Sequence, residues 1–354
     1  MEEEDRRYGS FDKPFYRIED DMVFLQFLSG GCPWKIDTGG CTICTFEQRC
    51  YTDEPDYIEQ FEYVINQAKE KTDLNNIDNL LLFNRSFYSD SEISPKERKE
   101  LLSKVSEFDV SEISVESRPE VITSEKLRNT KEALGGKDVS VYIGVESTND
   151  FVRKYCIHKG LKSEEIEDAT NLINDEGMKF VPFILTKPPF MSEKTAIKDA
   201  TESIEDVINL GADRISLQAM HVYDDSLAYD MSQEGLYRSP WLWSLNKILE
   251  NLGSLTDKIE GVYGLNPDIL TLTPEEIAHN CGECDGEVKE QVKSLEPQLE
   301  TSCECIEDWK KALEESKGPL EKVLHDYREL SRLKGVELKE EEVDQIKEDF
   351  EVMY

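Results

Sequence analysis

The sequence predicts an α/β fold in which helices cover a parallel sheet. Short apolar segments alternate six times with longer segments of helical spacing, and such alternation is typical of parallel sheets with right-handed crossovers. The predicted strands are apolar almost throughout, as strands buried on both faces are. The unusual polar motifs follow directly after these strands, at the end of the sheet where ligands bind.

Each predicted element has its own sequence signal. Strands are expected where short apolar runs occur, at 22–28, 77–83, 112–116, 139–145, 179–185 and 214–218. Helices are expected where apolar residues recur every three or four positions, at 54–71, 95–105, 124–134, 163–174 and 193–210. The length suits one barrel with an appendage.

The chain divides into four predicted parts. They are an N-terminal extension (1–20), a barrel (21–272), a cysteine-rich module (273–310) and an acidic helical tail (311–354). No apolar run is long enough to span a bilayer, and the charged N-terminus lacks the apolar segment of a signal peptide. We therefore expect a cytoplasmic protein, in which nine clustered cysteines indicate metal binding rather than disulfides.

The net charge of −35, from 76 acidic and 41 basic residues, is unusual for a protein that binds nucleic acid, because phosphate contacts need cations. One explanation is that no nucleic acid is bound. The other is a salt-rich cytosol, where acidic surfaces are screened and a basic surface gains little affinity. The acidic residues are spread over the whole chain, which favours a halophilic protein.

Three cysteines lie on one glycine-rich loop directly after the first predicted strand. Eight residues separate Cys32 from Cys41, and two separate Cys41 from Cys44. Thiolates prefer iron–sulfur clusters or zinc, and a cluster held by three cysteines instead of the usual four keeps one iron open for a small ligand. The alternative is a zinc site completed by a distant ligand such as Cys50.

Polar motifs follow the later strands. The segments are Asn84-Arg85-Ser86-Phe87, Glu116-Ser117-Arg118, Gly144-Val-Glu146 and a basic run at 153–162 that contains Arg153. The basic run suggests a phosphate contact for RNA or cofactor, and Lys187, Gln218 and His221 are placed to orient a substrate. Each motif alone is equally compatible with a capped loop, a salt-bridged turn or a solvated face.

Four further cysteines lie near the C-terminus, at Cys281, Cys284, Cys303 and Cys305. Four thiolates are the number that a closed structural zinc site needs, and we predict Zn²⁺ there. A second iron–sulfur cluster is the alternative. Such a metal would stabilise a small module that has little core of its own.

These motifs together resemble the radical S-adenosylmethionine (radical SAM) superfamily, in particular its elongator-type tRNA-modifying branch and the archaeosine-biosynthesis radical SAM family. The resemblance covers residues 20–310 and includes Glu-Ser-Arg-Pro-Glu, Gly-Val-Glu-Ser, Tyr-Arg-Ser-Pro-Trp-Leu-Trp-Ser and His-Asn-Cys-x-x-Cys-Asp. Ile43 stands where the family often has an aromatic residue, and Arg85 where a small residue is usual.

The resemblance implies a partial (β/α)6 barrel and specific roles for its motif residues. Cys32, Cys41 and Cys44 would hold a [4Fe–4S] cluster and act as the catalytic cysteines. The other implied positions would bind S-adenosylmethionine: Asn84, Ser86, Glu116, Ser117, Glu146 and Arg153.

The implied function is tRNA modification. A partner transferase attaches lysine to a deazaguanine base, and the radical enzyme, supplied by an electron donor, cleaves a carbon–nitrogen bond of that lysine to form archaeosine. Two alternatives stay open. One is a radical SAM enzyme acting on another tRNA base or a small molecule, and the other is a non-catalytic zinc-binding scaffold.

Overall fold

The computed structural model describes residues 13–19, 22–44, 52–53, 55–224, 226–266 and 272–354. Cys50 and most of the predicted N-terminal extension lie outside these residues. Within them, no helix is long and apolar enough to cross a membrane.

One eight-stranded sheet organises the described chain and curves into a half-barrel. The strands lie in sequence order, and only the first pair is antiparallel. They are β1 Phe15–Glu19, β2 Met22–Gln26, β3 Asn79–Phe83, β4 Glu112–Glu116, β5 Asp138–Glu146, β6 Lys179–Thr186, β7 Ile215–Ala219 and β8 Ile259–Tyr263. The predicted fold class and the six predicted strands are therefore confirmed.

Two strands were not expected from the sequence. β1 lies in the predicted N-terminal extension, and β8 lies in a part of the predicted barrel where no strand was expected. Both are edge strands of five residues, and they lack the continuous apolar run of strands covered on both faces. Their pairing with β2 and β7 supplies the stability that their sequences do not indicate.

Twelve α-helices are present in the described residues. They are α1 Pro33–Thr38, α2 Tyr57–Lys69, α3 Pro95–Ser106, α4 Ser124–Ala133, α5 Ser163–Asp175, α6 Glu193–Asn209, α7 Leu227–Gln233, α8 Leu242–Leu252, α9 Asp285–Lys293, α10 Cys305–Glu314, α11 Pro319–Lys334 and α12 Glu340–Met353. Most crossover helices begin at a side-chain cap, as α3 does, where Ser94 accepts from the Glu97 amide at 3.2 Å ahead of Pro95.

The main core lies between the convex face of the sheet and the helices. Alternate strand residues such as Leu25, Leu82, Val115 and Val141 point outward and are fully buried. Because the crossover helices bury their apolar faces on this side, the concave face of the sheet is left to line the barrel interior.

The amino ends of the strands close the barrel interior with an ionic network. Glu112 on β4 accepts hydrogen bonds from Ser140 at 2.9 Å and Lys179 at 2.7 Å, and Arg214 also pairs with it. These partners lower the pKa of Glu112 to about 2 against the effect of burial. The network fills the amino end of the interior with paired charges.

An aromatic layer lies above this network on the concave face. Phe24 and Phe83 have ring centroids 5.0 Å apart, Phe83 and Phe183 are 6.2 Å apart, and Tyr142 and Phe183 are 5.3 Å apart. The Tyr142 hydroxyl donates to Glu260 at 2.9 Å. The other end of the barrel interior lies at the carboxyl ends of the strands, and we call it the mouth.

Candidate active site

The cysteine loop (residues 29–44) lies directly after β2, at the mouth. Its long first gap is filled by α1, which begins after Cys32 with proline at its first position. Gly39 ends the helix with a φ of 88°, and Gly40 continues with a φ of 83°, conformations that glycine adopts without steric cost. The helix thereby returns the chain to Cys41, three residues before Cys44.

A second segment, the supporting turn (residues 152–160), holds the middle of this loop. It contains a π-helical turn, Val152–Ile157, whose last carbonyls lack partners within the helix. Thr42 supplies those partners: its amide donates to the Ile157 carbonyl at 2.8 Å, and its hydroxyl donates to the Cys156 carbonyl at 2.7 Å. The position between Cys41 and Cys44 is thus fixed by the supporting turn.

The supporting turn also contacts the first half of the loop. The Trp34 indole donates to the His158 carbonyl at 2.8 Å, and His158 Nδ1 lies 2.7 Å from the Gly40 carbonyl. Gly160 allows this approach, because a Cβ there would lie 2.2 Å from the Trp34 ring. His158 therefore has a structural role at the loop.

Positive side chains face the cysteine thiols. Lys159 and Arg118 both lie close enough to Cys41 to favour its thiolate, while burial dominates and raises the pKa of the Cys41 thiol to about 12. Arg118 also lies near Cys32. Binding of iron must displace the thiol protons, and these cations stabilise the negative charge that results.

Lys159 forms an ion pair with Glu146, the last residue of β5. Their Nζ and Oε1 atoms are 2.8 Å apart, and each side chain is 13% exposed. A register shift of β5 against β6 occurs at Gly144 and Glu146, and Glu146 has a φ of 65°, which turns it into the mouth. Gly144 leaves the space for this pair, since a Cβ there would lie 2.6 Å from Lys159 Nζ.

Glu116, at the end of β4, is the second carboxylate in the mouth. It accepts from the Arg85 amide at 2.9 Å. Burial raises its pKa to about 7, and the nearby Glu146 adds to the shift while Arg85 and Lys159 oppose it. The structure therefore brings the predicted residues Glu116 and Glu146 together beside the cysteine loop.

Arg85 has a left-handed conformation with a φ of 73°. This turn directs its amide to Glu116 and its guanidinium away from the cysteines, towards Ser29 and Glu92. Glu92 is a buried carboxyl that the sequence did not single out. Its Oε2 lies 3.9 Å from Arg85 Nε, and burial raises its pKa to about 8.

Three predicted cofactor residues are fully buried within the protein. Asn84 and Ser86 are 0% exposed and Ser117 is 1% exposed. The hydroxyls of Ser86 and Ser117 lie 3.3 Å apart, and Ser86 accepts from the Arg118 amide at 3.2 Å. Ser86 and Ser117 therefore tie the β3 and β4 loops together.

Arg153, which the resemblance implies as a cofactor contact, lies inside the protein. It is 1% exposed, and its guanidinium donates to the carbonyls of Leu161 and Ser147, to Ser163 Oγ and to Asp150. Its charge is thus satisfied inside the protein, where it fixes the start of the supporting turn. The sequence showed a basic run but not which of its members are buried.

The ends of β6 and β7 also differ from expectation. Lys187 is buried, and its ammonium pairs with Glu193 and donates to the Arg238 carbonyl at 2.9 Å, so it is not available to a substrate. Gln218 donates to Ser216 at 2.8 Å, and His221 Nδ1 lies 3.1 Å from the Tyr223 hydroxyl. Of the three predicted residues, Gln218 and His221 are half-buried at this end of the sheet.

The four C-terminal cysteines converge on one point. All their sulfurs lie within 4.8 Å of one another, with four of the pair distances at 3.8, 3.5, 3.5 and 3.4 Å. The Trp243 indole is buried, and its nitrogen lies 3.3 Å from Cys305 Sγ. His279 lies outside this group, with Nδ1 2.9 Å from the Ile277 carbonyl.

The donor atoms at the mouth fit an iron–sulfur cluster and an amino-acid cofactor. Three soft thiols lie on one loop, cations face them, and a carboxylate–ammonium pair next to them is complementary to a zwitterion. The cysteines that would hold the cluster therefore lie next to Glu146 and Lys159. These two side chains of opposite charge would bind a ligand on the open iron of the cluster.

Comparisons with known proteins agree with this geometry. The sequence profile of the Radical SAM superfamily matches residues 27–196. Archaeosine synthase subunit beta of Methanosarcina acetivorans is 29% identical over 308 residues, 84% of this chain and 86% of that protein. An uncharacterized protein of Methanocaldococcus jannaschii is 31% identical over 332 residues, 87% and 89% of the two chains.

A third relative, archaeosine synthase subunit beta of Thermococcus kodakarensis, is 29% identical over 227 residues, 60% of this chain and 69% of that protein. Members of the superfamily use a [4Fe–4S] cluster and S-adenosylmethionine, which agrees with the donor atoms at the mouth. The chain therefore belongs to the radical SAM superfamily, as a relative of proteins named archaeosine synthase subunit beta.

Proposed function

We propose that this protein is a radical SAM enzyme of tRNA modification, which cleaves the lysine carbon–nitrogen bond of a lysine-modified 7-deazaguanine to form archaeosine. The observation that carries the proposal is the convergence of the cysteine loop, Lys159, Glu116 and Glu146 at one end of the half-barrel. The likeness to proteins named archaeosine synthase subunit beta supports the choice of substrate.

Cys32, Cys41 and Cys44 would hold the cluster, and Glu146 and Lys159 would receive the amino and carboxylate groups of S-adenosylmethionine. The bound cofactors supply the one-electron chemistry that removes a hydrogen atom from the substrate. Glu116 lies beside this pair, and the charges of Lys159 and Glu146 act on its carboxyl in opposite directions.

A partner subunit is part of this proposal. The chain carries a net charge of −35, and the cations described near the mouth are engaged by acidic groups, as Lys159 is by Glu146 and Arg118 by Glu120. Few cations are left there for tRNA phosphates. A transferase partner that supplies most of the tRNA contact resolves this difficulty, and an electron donor completes the system.

For the C-terminal cysteines we propose one zinc ion. A tetrahedron with metal–sulfur bonds of about 2.3 Å has sulfur–sulfur edges of about 3.8 Å, close to the distances of 3.4–3.8 Å found here. A second iron–sulfur cluster would hold its thiolates further apart, because four irons and their sulfides lie between them. The donor geometry thus favours a single ion.

The test is anaerobic purification and reconstitution followed by metal analysis. We expect about four irons and one zinc per chain, with cleavage of S-adenosylmethionine by the reduced protein. Replacement of Cys44 by alanine should abolish that cleavage and leave the zinc in place. Zinc alone, with no iron at the cysteine loop, would contradict the enzyme proposal and favour a scaffold.

The substrate is tested separately with tRNA that carries the lysine adduct. Mass analysis should show conversion of the adduct to archaeosine when the protein, its partner and a reductant are combined. Adduct left unchanged while S-adenosylmethionine is cleaved would contradict this substrate and favour a radical SAM enzyme that acts on another base or a small molecule.

A further inference from the structure

We infer that the C-terminal helix α12 positions the cysteine loop, acting through the supporting turn that lies between them. The inference concerns the part of the predicted acidic tail that is furthest from the cysteines in sequence. The importance of α12 for catalysis rests on the proposed function. The positioning of the cysteine loop by α12 does not depend on that function.

The first contact joins α12 to the supporting turn. Asp349 accepts hydrogen bonds from the Lys154 ammonium and the Tyr155 hydroxyl, and Gln345 donates to its other oxygen at 3.0 Å. Lys154 and Tyr155 hold the pKa of Asp349 below its ordinary value, so the carboxylate is charged at neutral pH. Its side chain is 13% exposed, less than is usual for a surface ion pair.

Aromatic packing supports the same contact. The Phe350 ring stands edge-on to the fully buried Phe151 ring, with centroids 5.1 Å apart, and Tyr354 lies 6.1 Å from Phe151. Phe151 is the residue directly before the π-helical turn. The end of α12 therefore covers the point at which the supporting turn begins.

The second contact joins the supporting turn to the cysteines. The carbonyls of Cys156 and Ile157 accept the hydroxyl and amide of Thr42, one residue after Cys41. Ile43 and Cys41 pack against the same apolar cluster that contains Phe151 and Phe350. Hydrogen bonds and packing thus form a continuous path from α12 to the residues between the second and third cysteines.

α12 also packs against α11, where Val343 and Ile346 join the apolar cluster that contains Leu324 and Leu330. Ile346 is its buried residue, and most of its other side chains are exposed. Val352, for example, is 84% exposed. Because the hydrogen bonds that Asp349 accepts from outside α12 come from the supporting turn, loss of these bonds should affect the cysteine loop more than the barrel.

The experiment compares Asp349→Ala with Asp344→Ala in the full chain. Asp344 lies on the same helix, is 67% exposed and pairs only locally with Lys347, so it is a matched control. Hydrogen–deuterium exchange of the protein before reconstitution should be several-fold faster in Asp349→Ala over peptides covering 41–44 and 152–158, and unchanged in Asp344→Ala.

After anaerobic reconstitution, Asp349→Ala should lose its cluster to a chelator several-fold faster, measured by iron release and by the electron paramagnetic resonance signal. Asp349→Asn, which keeps a hydrogen-bond acceptor, should restore part of the protection. If Asp349→Ala fails to fold, Tyr155→Phe removes one hydroxyl and should give the same pattern at smaller size.

Unchanged exchange over 41–44 in Asp349→Ala and Tyr155→Phe would overturn the inference, as would equal changes in the Asp344→Ala control. The failure of the proposed function has a different signature. Wild-type protein that never acquires iron would refute the proposal that the cysteine loop holds an iron–sulfur cluster. The exchange measurement would still decide whether α12 positions the cysteine loop.

Discussion

Gly144 is the residue on which the ion pair beside the cysteines depends. A Cβ at this position would lie 2.6 Å from Lys159 Nζ and 2.8 Å from Glu146 Oε1. Both atoms are ends of flexible side chains, so Gly144→Ala should leave the melting temperature almost unchanged. We expect the pair to be displaced and the affinity for S-adenosylmethionine, measured by calorimetry on the reconstituted protein, to fall about tenfold or more.

The control for this substitution is Gly286→Ala. No atom lies within 4 Å of the position of its added Cβ, and its φ is not positive. This variant should bind the cofactor as the wild type does. Equal affinity in Gly144→Ala and wild type would show that the Lys159–Glu146 pair does not contact the cofactor.

Glu92 gives a prediction about pH. Its carboxyl has a folded-state pKa of about 8, raised by burial from an ordinary value of 4.5. The folded state therefore binds the proton more tightly than the unfolded state, and stability falls as pH rises from about 4.5 to about 8. Glu92→Gln should raise the melting temperature at pH 9 by roughly 2–5 °C and leave it unchanged at pH 5.

Thermal unfolding followed at both pH values tests this prediction. The matched control is Glu62→Gln, because Glu62 is largely exposed in its pair with Lys104 and should show no stabilisation at pH 9. A Glu92→Gln variant that is less stable than wild type at pH 9 would show that the pairing of Glu92 with Arg85 outweighs the cost of burying its charge.

At the scale of residues, the positions of the loop cysteines, Glu116 and Glu146 at the ends of strands were predicted correctly from the sequence. Glu116 and Glu146 meet at the mouth because parallel strands end at one edge of a sheet. The roles of Arg153 and Lys187 were not predictable, because a basic residue looks the same in sequence whether it faces solvent or an internal carbonyl. Only the folded loops show that both are satisfied inside the protein.

Helices were predicted more accurately than edge strands. The crossover helices α3 to α6 lie within a residue of their expected bounds, because caps and apolar spacing are local signals. β1 and β8 form through pairing with distant neighbours, which leaves little local signal. Helix α1 was not predicted either. The only indication of structure there was the length of the gap between Cys32 and Cys41.

At the same scale, the C-terminal helices α9 and α10 depend on the proposed zinc. Cys284 lies immediately before α9, and Cys305 begins α10, so the metal joins the starts of both helices. A strong chelator should lower the melting temperature and release the two helices from the barrel, detected by faster hydrogen exchange over 281–314.

The double substitution Cys281→Ser and Cys303→Ser tests the same idea without a chelator. These are the two more exposed cysteines of the group, so their replacement disturbs packing least. The variant should contain no zinc, and the chelator should change it no further. A chelator effect that persists in this variant would show that the metal is bound elsewhere.

The whole molecule carries one negative charge for about every ten residues, as a net charge of −35 over 354 residues requires. Salt shortens the range of this repulsion from about 10 Å at 0.1 M to about 3 Å at 1 M. We expect the melting temperature to rise steadily between 0.1 and 2 M KCl, with NaCl giving the same result. A flat or falling curve would contradict the importance of self-repulsion.

The network of Glu112, Lys179 and Arg214 occupies the amino end of the barrel interior, so the cysteine loop lies at the opposite end. A tRNA that binds at the mouth, as proposed above, covers the residues proposed to hold S-adenosylmethionine. On that proposal, S-adenosylmethionine binds before the tRNA, and its products leave after the tRNA. Steady-state kinetics should accordingly show a compulsory sequence, with release of the RNA preceding exchange of the small molecule.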